Sequence, residues 1–306
     1  MSQSHEPVGD VSRENGAQSP LHTTTSQHPR TPHGVESLLE TFSATKEEFL
    51  SCEDPRSSFQ LLDRLCNILI ELDDRELPPS LNTPSSELLR KVAEIDSHCE
   101  QQAAHEIITL KINDLEHYPW NLRDYYEGEK LFVEKQIGRA IGRVTVIGHG
   151  AIPHSALLFR DHPLELIDID PEVSTLARNI FDKFSPECAP TIRVADLSQA
   201  NFKYDQSQAA PPEGVSLAII ANAAVPALLE RSTPLPHDFV FIRSATENGA
   251  LLYPKASLTA IERAGYRVTA YQADSIYGIH EWILCRPQPT SHRIQSAIEG
   301  QGEQKA

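Results

Sequence analysis

The feature that most constrains the fold is a change of pattern at Gly142, where short apolar runs begin to alternate with amphipathic stretches. The apolar runs have the length and composition of buried strands, and the early stretches between them carry apolar residues at helical spacing. Seven runs follow this pattern: RVTVIG, ELIDID, TIRVA, VSLAIIA, DFVFIR, YRVTAYQ and HEWILCR. Because strands that alternate with helices build a parallel sheet through right-handed crossovers, this part of the chain predicts an α/β fold.

The last two runs break the alternation. They follow the helical stretch PKASLTAIERAG and are joined only by the short segment ADSIYG, so the final strand pair is predicted to be antiparallel. A doubly wound sheet that ends in such a pair is typical of the class I S-adenosylmethionine-dependent methyltransferase architecture, and not of the nicotinamide-binding fold. We therefore predict a sheet of this type, preceded by an all-helical domain.

The helical domain is predicted from residues 35–140. Their apolar side chains recur at intervals of three and four, as in Val35-Leu38-Leu39-Phe42 and Leu88-Val92-Ile95-Cys99. Thr83 in front of Pro84 predicts the N-cap of one helix, with the proline in its first turn. This spacing predicts several amphipathic helices that pack on one another.

Charge restricts the partners of the protein. The chain of 306 residues has a net charge of −16, from 43 acidic and 27 basic side chains. Phosphate backbones and anionic lipid repel so acidic a chain, which argues against nucleic acid and membrane surfaces as partners. Most of the acidity lies in residues 36–134, where it forms a solvated face and would also attract a cationic or amine-bearing substrate.

The two ends of the chain contain few apolar residues. We predict a disordered tail over 1–34, a helical substrate or lid domain over 35–140, a Rossmann-like S-adenosylmethionine-binding domain over 141–287 and a flexible tail over 288–306. The first residues do not resemble a signal peptide, and no apolar run is long enough to span a bilayer, so a cytoplasmic location is expected. The five scattered cysteines predict neither a disulfide framework nor a zinc site.

A candidate ligand site begins where the first strand runs into Gly148-His149-Gly150. A G-x-G turn between a strand and a helix brings backbone N–H groups to the carboxyl edge of the sheet and lets a ligand approach the main chain. About 20 residues later, Asp168 ends the second strand, where a carboxylate can accept hydrogen bonds from both ribose hydroxyls. Asp170 precedes Pro171 and can instead cap the next helix. The turn lacks a third glycine and a lysine, so we expect a nucleoside ligand without a diphosphate.

The ends of the following strands extend this site. Asp196 can accept a hydrogen bond from the adenine amine, and Asn222 lies where the amino-acid end of the ligand is expected. His149 and His154 are candidates for substrate binding or for a catalytic base, with ordinary loop packing as the alternative. The predicted cofactor-binding residues are Gly148, Gly150, Ile152, Pro153, Asp168, Ile169, Asp196, Leu197, Ala221 and Asn222.

Three segments of the chain resemble one family: VIGHGAIPHSALLF, ELIDIDPEVSTLARNIF and FIRSATENGALLYPKASL. They are similar to segments of the nicotianamine synthases and of their bacterial relatives that make opine metallophores of the staphylopine and pseudopaline type. The most discriminating part is Arg243-Ser244-Ala245 followed by Leu252-Tyr253-Pro254. The resemblance covers residues 87–286 and is weaker in the helical part, where HYPWNLRDYY and DSHCEQQAAHE are degraded matches.

The resemblance implies a transferase that uses S-adenosylmethionine unusually. Enzymes of this family direct an amine at the methionyl Cγ, so that the 3-amino-3-carboxypropyl (aminobutyrate) group is transferred and methylthioadenosine is released. Arg243 would then hold a carboxylate of the donor or acceptor, and Glu100 would act as general base or hold the amine. The hydroxyls of Tyr118, Tyr125 and Tyr253 would orient the substrate.

The resemblance also suggests an acceptor. The divergent helical part favours the bacterial type of enzyme, which makes one transfer to an amino acid, with histidine as the first expectation. The product would pass to an opine-dehydrogenase-type enzyme and finally chelate divalent metals, whereas the transferase itself is expected to hold none. A homodimer is left open. The alternatives are a small-molecule methyltransferase with the same cofactor features and a non-catalytic S-adenosylmethionine-binding protein.

Overall fold

The computed structural model describes residues 32–72, 85–110, 112, 123–199, 202, 213–273 and 278–288. The helices are α1 (Pro32–Ser51), α2 (Pro55–Glu71), α3 (Ser86–Thr109), α4 (Arg123–Ile137), α5 (His154–Leu158), α6 (Pro171–Phe184), α7 (Val225–Leu229) and α8 (Leu258–Arg263). The strands are β1 (Ile141–Ile147), β2 (Leu164–Asp168), β3 (Thr191–Val194), β4 (Val215–Ile220), β5 (Phe239–Ala245), β6 (Tyr266–Ala273) and β7 (His280–Pro287). The predicted tails lie outside these residues, except that 32–34 begin α1 and 288 follows β7.

The described strands form one sheet in the order β3-β2-β1-β4-β5-β7-β6. Strands β1 to β5 pair in parallel, and β7 lies antiparallel between β5 and β6. The chain therefore starts in the middle of the sheet, moves through β2 to β3 at one edge, and returns to β4 on the other side of β1. The doubly wound sheet with an antiparallel end is confirmed, and its reversal opens a crevice at the carboxyl ends of β1 and β4.

The burial of the strands explains why their sequences are so apolar. Every residue of β5 is buried, and in β4 only Ser216 is partly exposed. The edge strand β6 instead alternates between buried or half-buried and exposed residues along much of its length. A strand covered by helices on both faces needs apolar side chains at nearly every position, whereas an edge strand with one solvated face does not.

The start of α6 confirms the capping role considered for Asp170. Its Oδ1 accepts hydrogen bonds from the backbone N–H groups of Glu172 at 2.8 Å and Val173 at 3.4 Å. Pro171 occupies the first turn, where its missing N–H has no consequence. Capping fixes the helix boundary and leaves Asp168 as the carboxylate that ends β2.

The start of α3 differs from the prediction. The N-cap is Ser85, whose Oγ accepts a hydrogen bond from the backbone N–H of Leu88 at 3.0 Å. The predicted N-cap at Thr83 is therefore wrong by two residues. The serine after Pro84 offers the same kind of side-chain acceptor, and sequence alone did not distinguish the two.

Helices α1, α2 and α3 share an apolar core with the segment that follows β5. Their buried faces pack together with Leu251 and Leu252 of this segment and with Ile279, which directly precedes β7. In the same segment, Asn248 Nδ2 donates a hydrogen bond to the backbone carbonyl of Leu72 at 2.8 Å. Because this segment lies at the carboxyl end of β5, the packing holds α2 and α3 over the carboxyl edge of the sheet.

Three further findings concern the described residues as a whole. None of the described helices is long and apolar enough to cross a membrane. All five cysteines belong to the described part of the chain, and all are free thiols. The described residues contain no group of three or more His, Cys, Asp or Glu side chains that could hold a metal ion.

Candidate functional site

A cavity of about 640 Å³ lies at the carboxyl ends of the parallel strands, beneath α2 and α3. In doubly wound sheets, ligands bind at this place, outside the point where the strand order reverses. The predicted site residues that line the cavity are Glu100, Tyr125, Gly148, His149, Gly150, His154, Asp168, Ile169, Asp196, Leu197, Ala221, Asn222, Arg243 and Tyr253. The fold thus brings together residues that are far apart in the sequence.

Three predicted residues are not among those that line the cavity. Ile152 packs into the apolar core on one side of the sheet, and Pro153 is buried at the start of α5, because the chain turns inward after Gly150. Tyr118 lies outside the described residues. Ile152 contributes through its backbone N–H, which donates a hydrogen bond to Glu100 Oε1 at 2.9 Å.

The glycine turn has a conformation that side chains rarely adopt. Gly148 and Gly150 have φ angles of 72° and 70°. A Cβ atom on Gly150 would also overlap the carboxylate of Glu100. Asp168 closes the turn, since its Oδ2 accepts from the N–H of Gly150 at 3.3 Å and its Oδ1 accepts from the N–H of Asp170 at 3.1 Å. The carboxylate of Asp168 is thereby fixed at the end of β2, where the ribose hydroxyls are predicted to bind.

Asp196 and Asn222 follow β3 and β4. The backbone N–H and hydroxyl of Ser198 donate to Asp196 Oδ1 at 2.8 and 2.7 Å, and these bonds hold the pKa of Asp196 below its usual range. Asn222 Nδ2 lies 3.1 Å from His280 Nδ1. Burial and the charge of Arg243 lower the pKa of His280 to about 4, so the ring is neutral and its Nδ1 can accept this bond. The Asn222 Oδ1 is buried without a hydrogen-bond partner among the described residues, which leaves it free for a ligand.

The carboxylate of Glu100 reaches from α3 to the glycine turn. It accepts the hydrogen bond from Ile152 and lies directly against Gly150. Burial, with smaller contributions from the charges of Asp96 and Asp168, raises the pKa of Glu100 to about 8. A group with this pKa can take or release a proton near neutral pH, which is what general base catalysis requires.

A second acidic group forms the end of the cavity that lies against α2. Burial raises the pKa of Asp96 to about 7, and a hydrogen bond with Tyr253 opposes this change. Asp63 and Cys66 of α2 also line the cavity. The sequence alone did not identify Asp63 or Asp96 as site residues. Asp96 could have been found, because it precedes Glu100 by four residues and residues at this spacing share one helix face.

Arg243, at the end of β5, is paired with an acid inside the protein. Its Nε and Nη2 donate to the two carboxylate oxygens of Glu129 on α4 at 2.5 and 2.9 Å, and Nη2 also donates to the hydroxyl of Ser155. The side chain of Glu129 is only 1% exposed, so both charges are removed from water together. The guanidinium fork predicted to hold a substrate carboxylate is therefore already bound to a carboxylate of the protein, although Arg243 still lines the cavity.

Tyr126 is a cavity residue that sequence reasoning passed over in favour of its neighbour Tyr125. The Arg243 guanidinium lies 4.8 Å from the centre of the Tyr126 ring, which also stacks on His154 with ring centres 5.0 Å apart. Burial and the charge of Arg243 lower the pKa of His154 to about 4, and burial lowers the pKa of His149. Both imidazoles are therefore neutral at physiological pH.

The two predicted tyrosines, Tyr125 and Tyr253, both lie next to His280. Tyr125 packs edge-on against Trp282 and His280, with ring centres 5.6 and 5.8 Å apart, and burial raises its pKa. The Tyr253 ring lies 5.0 Å from His280, and its hydroxyl bonds to Asp96. Tyr125 thus stays a neutral phenol, and Tyr253 connects the segment after β5 to the acidic end of the cavity.

Structures of MtNAS, a nicotianamine synthase-like protein, are similar to this chain over most of its length. A glutamate-to-glutamine variant of MtNAS aligns with a TM-score of 0.63 and 15% identity, covering 85% of this chain and 100% of that one. The same variant in complex with S-adenosylmethionine aligns with a TM-score of 0.62 and 15% identity, over 82% and 98% of the two chains. MtNAS in complex with MTA and tNA aligns with a TM-score of 0.57 and 15% identity, over 84% and 98%.

The fold is class I methyltransferase-like. Within that class, it is similar to the nicotianamine synthase-like structure over the helical part as well as the sheet. No family model matches the chain, and no curated protein matches it. The likeness therefore concerns the fold, and the chemistry depends on the residues that line the cavity.

The buried acids should make stability depend on pH. A carboxyl whose pKa is raised by folding keeps a proton that the unfolded chain has released, so the fold loses stability as pH rises toward the folded-state pKa. The histidines with lowered pKa make the fold more stable as pH rises, because their rings are neutral in the folded protein and charged in the unfolded chain. This effect is confined to pH values below about 6.5, since above that pH the rings of the unfolded chain are neutral as well. Between pH 6.5 and 8 we expect the free energy of unfolding to fall by about 2 kcal/mol, mainly through Glu100.

Urea unfolding of the ligand-free protein at these two pH values measures this effect. The Glu100→Gln variant should lose most of the decrease, because glutamine has no proton to release. The Glu94→Gln variant is the matched control, since Glu94 lies on the same helix but is exposed and paired with Arg90. The interpretation is wrong if stability does not change in the wild type, or if Glu100→Gln retains the full decrease.

Proposed function

We propose that the protein binds S-adenosylmethionine in this cavity and transfers its aminobutyrate group to the amine of an amino acid, with methylthioadenosine as the other product. The observation that carries the proposal is the position of Glu100, a half-buried residue whose carboxyl has a raised pKa and contacts the glycine turn at the carboxyl edge of the sheet. A base placed there lies beside the donor's expected reactive end. The structures of MtNAS with S-adenosylmethionine and with MTA support the choice of ligand.

The residues present fit the nucleoside part of this ligand. Asp168 has a carboxylate fixed at the end of β2 that can accept hydrogen bonds from two ribose hydroxyls, and Asp196 can accept one from the adenine amine. Ile169 lines the cavity although it is 65% exposed, and Leu197 offers a buried apolar surface nearby. An exposed apolar side chain at the rim of a cavity is suited to covering one face of a purine ring.

The chemistry needs little more than orientation and a base. The amine nitrogen forms a bond to the Cγ atom of the donor while the bond from Cγ to sulfur breaks, and the electron pair stays on sulfur to give a neutral thioether. The proton that the amine must lose goes to Glu100. Because the sulfonium already provides the leaving group, the protein contributes by holding the amine, rather than the methyl group, in line.

The decisive experiment identifies the nucleoside product. The purified protein is incubated with S-adenosylmethionine and single amino acids, histidine first, and the products are separated by mass spectrometry. Methylthioadenosine formed only in the presence of an amino acid supports aminobutyrate transfer. S-adenosylhomocysteine would instead show a methyltransferase, and binding of S-adenosylmethionine without either product would favour a non-catalytic binding protein.

The fate of the product follows as part of the proposal. An aminobutyrate-substituted amino acid has a secondary amine and several carboxylates or amines in chelating positions, and it retains a primary amine. A reductive condensation of that primary amine with a 2-oxo acid, as in opine-dehydrogenase-type enzymes, would complete a ligand for divalent metals.

A further inference from the structure

The cavity is lined by carboxylates that the proposed reaction does not use, and one of them is Asp96. Asp96 lies one turn before Glu100 on α3 and lines the same cavity. Its Oδ1 is buried without a hydrogen-bond partner among the described residues. A buried, unpaired carboxylate oxygen costs free energy unless a ligand binds it, so its place in a cavity points to a missing partner.

The charges around Asp96 show what kind of partner is missing. Asp63 of α2 lines the same cavity, which adds another acid. Among the described residues that line the cavity, Arg243 is the only cation, and its charge is compensated by Glu129. The imidazoles of His154 and His280 are neutral. Asp96 therefore has no counter-charge among the described residues that line the cavity, and a cationic ligand group would supply one.

The spacing on α3 sets the size of that ligand. Four residues of an α-helix rise by about 6 Å, so groups bound by Glu100 and Asp96 are separated by roughly that distance. We propose that the amine acceptor carries a second, protonated nitrogen about 6 Å from the attacking one, and that Asp96, with Asp63 nearby, selects the acceptor by binding it. This inference rests on the proposed aminobutyrate transfer and adds the class of acceptor.

Diamino acids such as ornithine and 2,4-diaminobutyrate meet this requirement, and histidine meets it when its imidazole is protonated. Amino acids with the same carbon chain but no second charged nitrogen do not meet it, because they place an uncharged group next to the carboxylate of Asp96. The selection follows from desolvation: an acceptor without the second charge leaves Asp96 Oδ1 without a partner, and such a mismatch is more costly than the loss of one contact.

The test compares ornithine with norvaline, which has the same carbon chain and lacks the terminal amine. The rate of methylthioadenosine formation is measured with each acceptor for the wild type, for Asp96→Asn and for the exposed-site control Glu94→Gln. We expect the wild type and the control to prefer ornithine by a factor of at least ten in kcat/KM. In Asp96→Asn this ratio should fall toward one, mainly through loss of the rate with ornithine, because asparagine has no charge to pair with the terminal ammonium.

The inference is overturned if the wild type uses norvaline as well as ornithine, or if Asp96→Asn keeps the preference. A purely structural role of Asp96, in holding Tyr253, would lower both rates together and leave the ratio unchanged. Calorimetric titration of ornithine and norvaline into the protein saturated with S-adenosylhomocysteine, which has no group to transfer, measures the same preference without turnover. Failure of the proposed function is seen separately, as the absence of methylthioadenosine with every acceptor.

Discussion

Replacing Glu100 with glutamine should lower turnover by a factor of about one hundred or more while S-adenosylmethionine still binds. Glutamine keeps the size of the side chain and can still accept the hydrogen bond from Ile152, so the glycine turn should keep its shape. What the variant loses is the ability to take a proton from the attacking amine. Methylthioadenosine formation in a single turnover measures the chemical step, and calorimetry measures binding of S-adenosylmethionine.

The pH profile adds a second readout for Glu100. A base must be deprotonated to act, so wild-type turnover should rise with pH and level off near or below the ligand-free pKa of about 8, because a bound cation lowers this value. The Glu100→Gln variant should lose this dependence, whereas Glu94→Gln should keep both rate and profile. Unchanged turnover in Glu100→Gln would remove this residue from the mechanism.

Breaking the buried pair between Glu129 and Arg243 should have the largest effect on stability. Removing one partner leaves the other charge buried without compensation, which typically costs about 3–5 kcal/mol. The Glu129→Leu variant should therefore lose this much in the free energy of unfolding, measured with urea. The effect should be large because Glu129 accepts from both Nε and Nη2 and has almost no access to water.

A double variant separates stability from function. In Glu129→Leu with Arg243→Met, both charges are gone and apolar side chains fill the space, so most of the stability should return. Turnover should stay low, because the guanidinium that lies against Tyr126 beside the cavity is missing. If Glu129→Leu alone is as stable as the wild type, the pair is not the buried ion pair that its geometry indicates.

The sheet could be predicted because the burial of its strands produces short apolar runs that are visible in the sequence. A strand such as β5, with all of its residues buried, must be apolar or small at nearly every position. The glycine turn and Asp168 were also predictable, since a positive φ and a carboxylate at a strand end each need particular residue types. These features depend on local sequence.

The rest of the site depends on contacts between distant elements. Glu129 and Arg243 are 114 residues apart and belong to α4 and β5, and no local pattern relates them. The spacing of Asp96 and Glu100 shows that they share a helix face, but it does not show that this face covers a cavity. Ile152 was assigned to the ligand although its side chain packs into the core, because the direction of the chain after Gly150 cannot be read from the sequence.

The apolar core that α1 to α3 share with the segment after β5 bears on how ligands reach the cavity. If the helical layer swung away as a hinged lid, Leu251, Leu252 and Ile279 would become exposed to water, at about 1.5–3 kcal/mol for each side chain. The hydrogen bond from Asn248 to Leu72 would break as well. We therefore expect substrates and products to exchange through the existing mouth of the cavity by side-chain motion, so that diffusion and chemistry, rather than a slow opening of domains, set the pace of turnover.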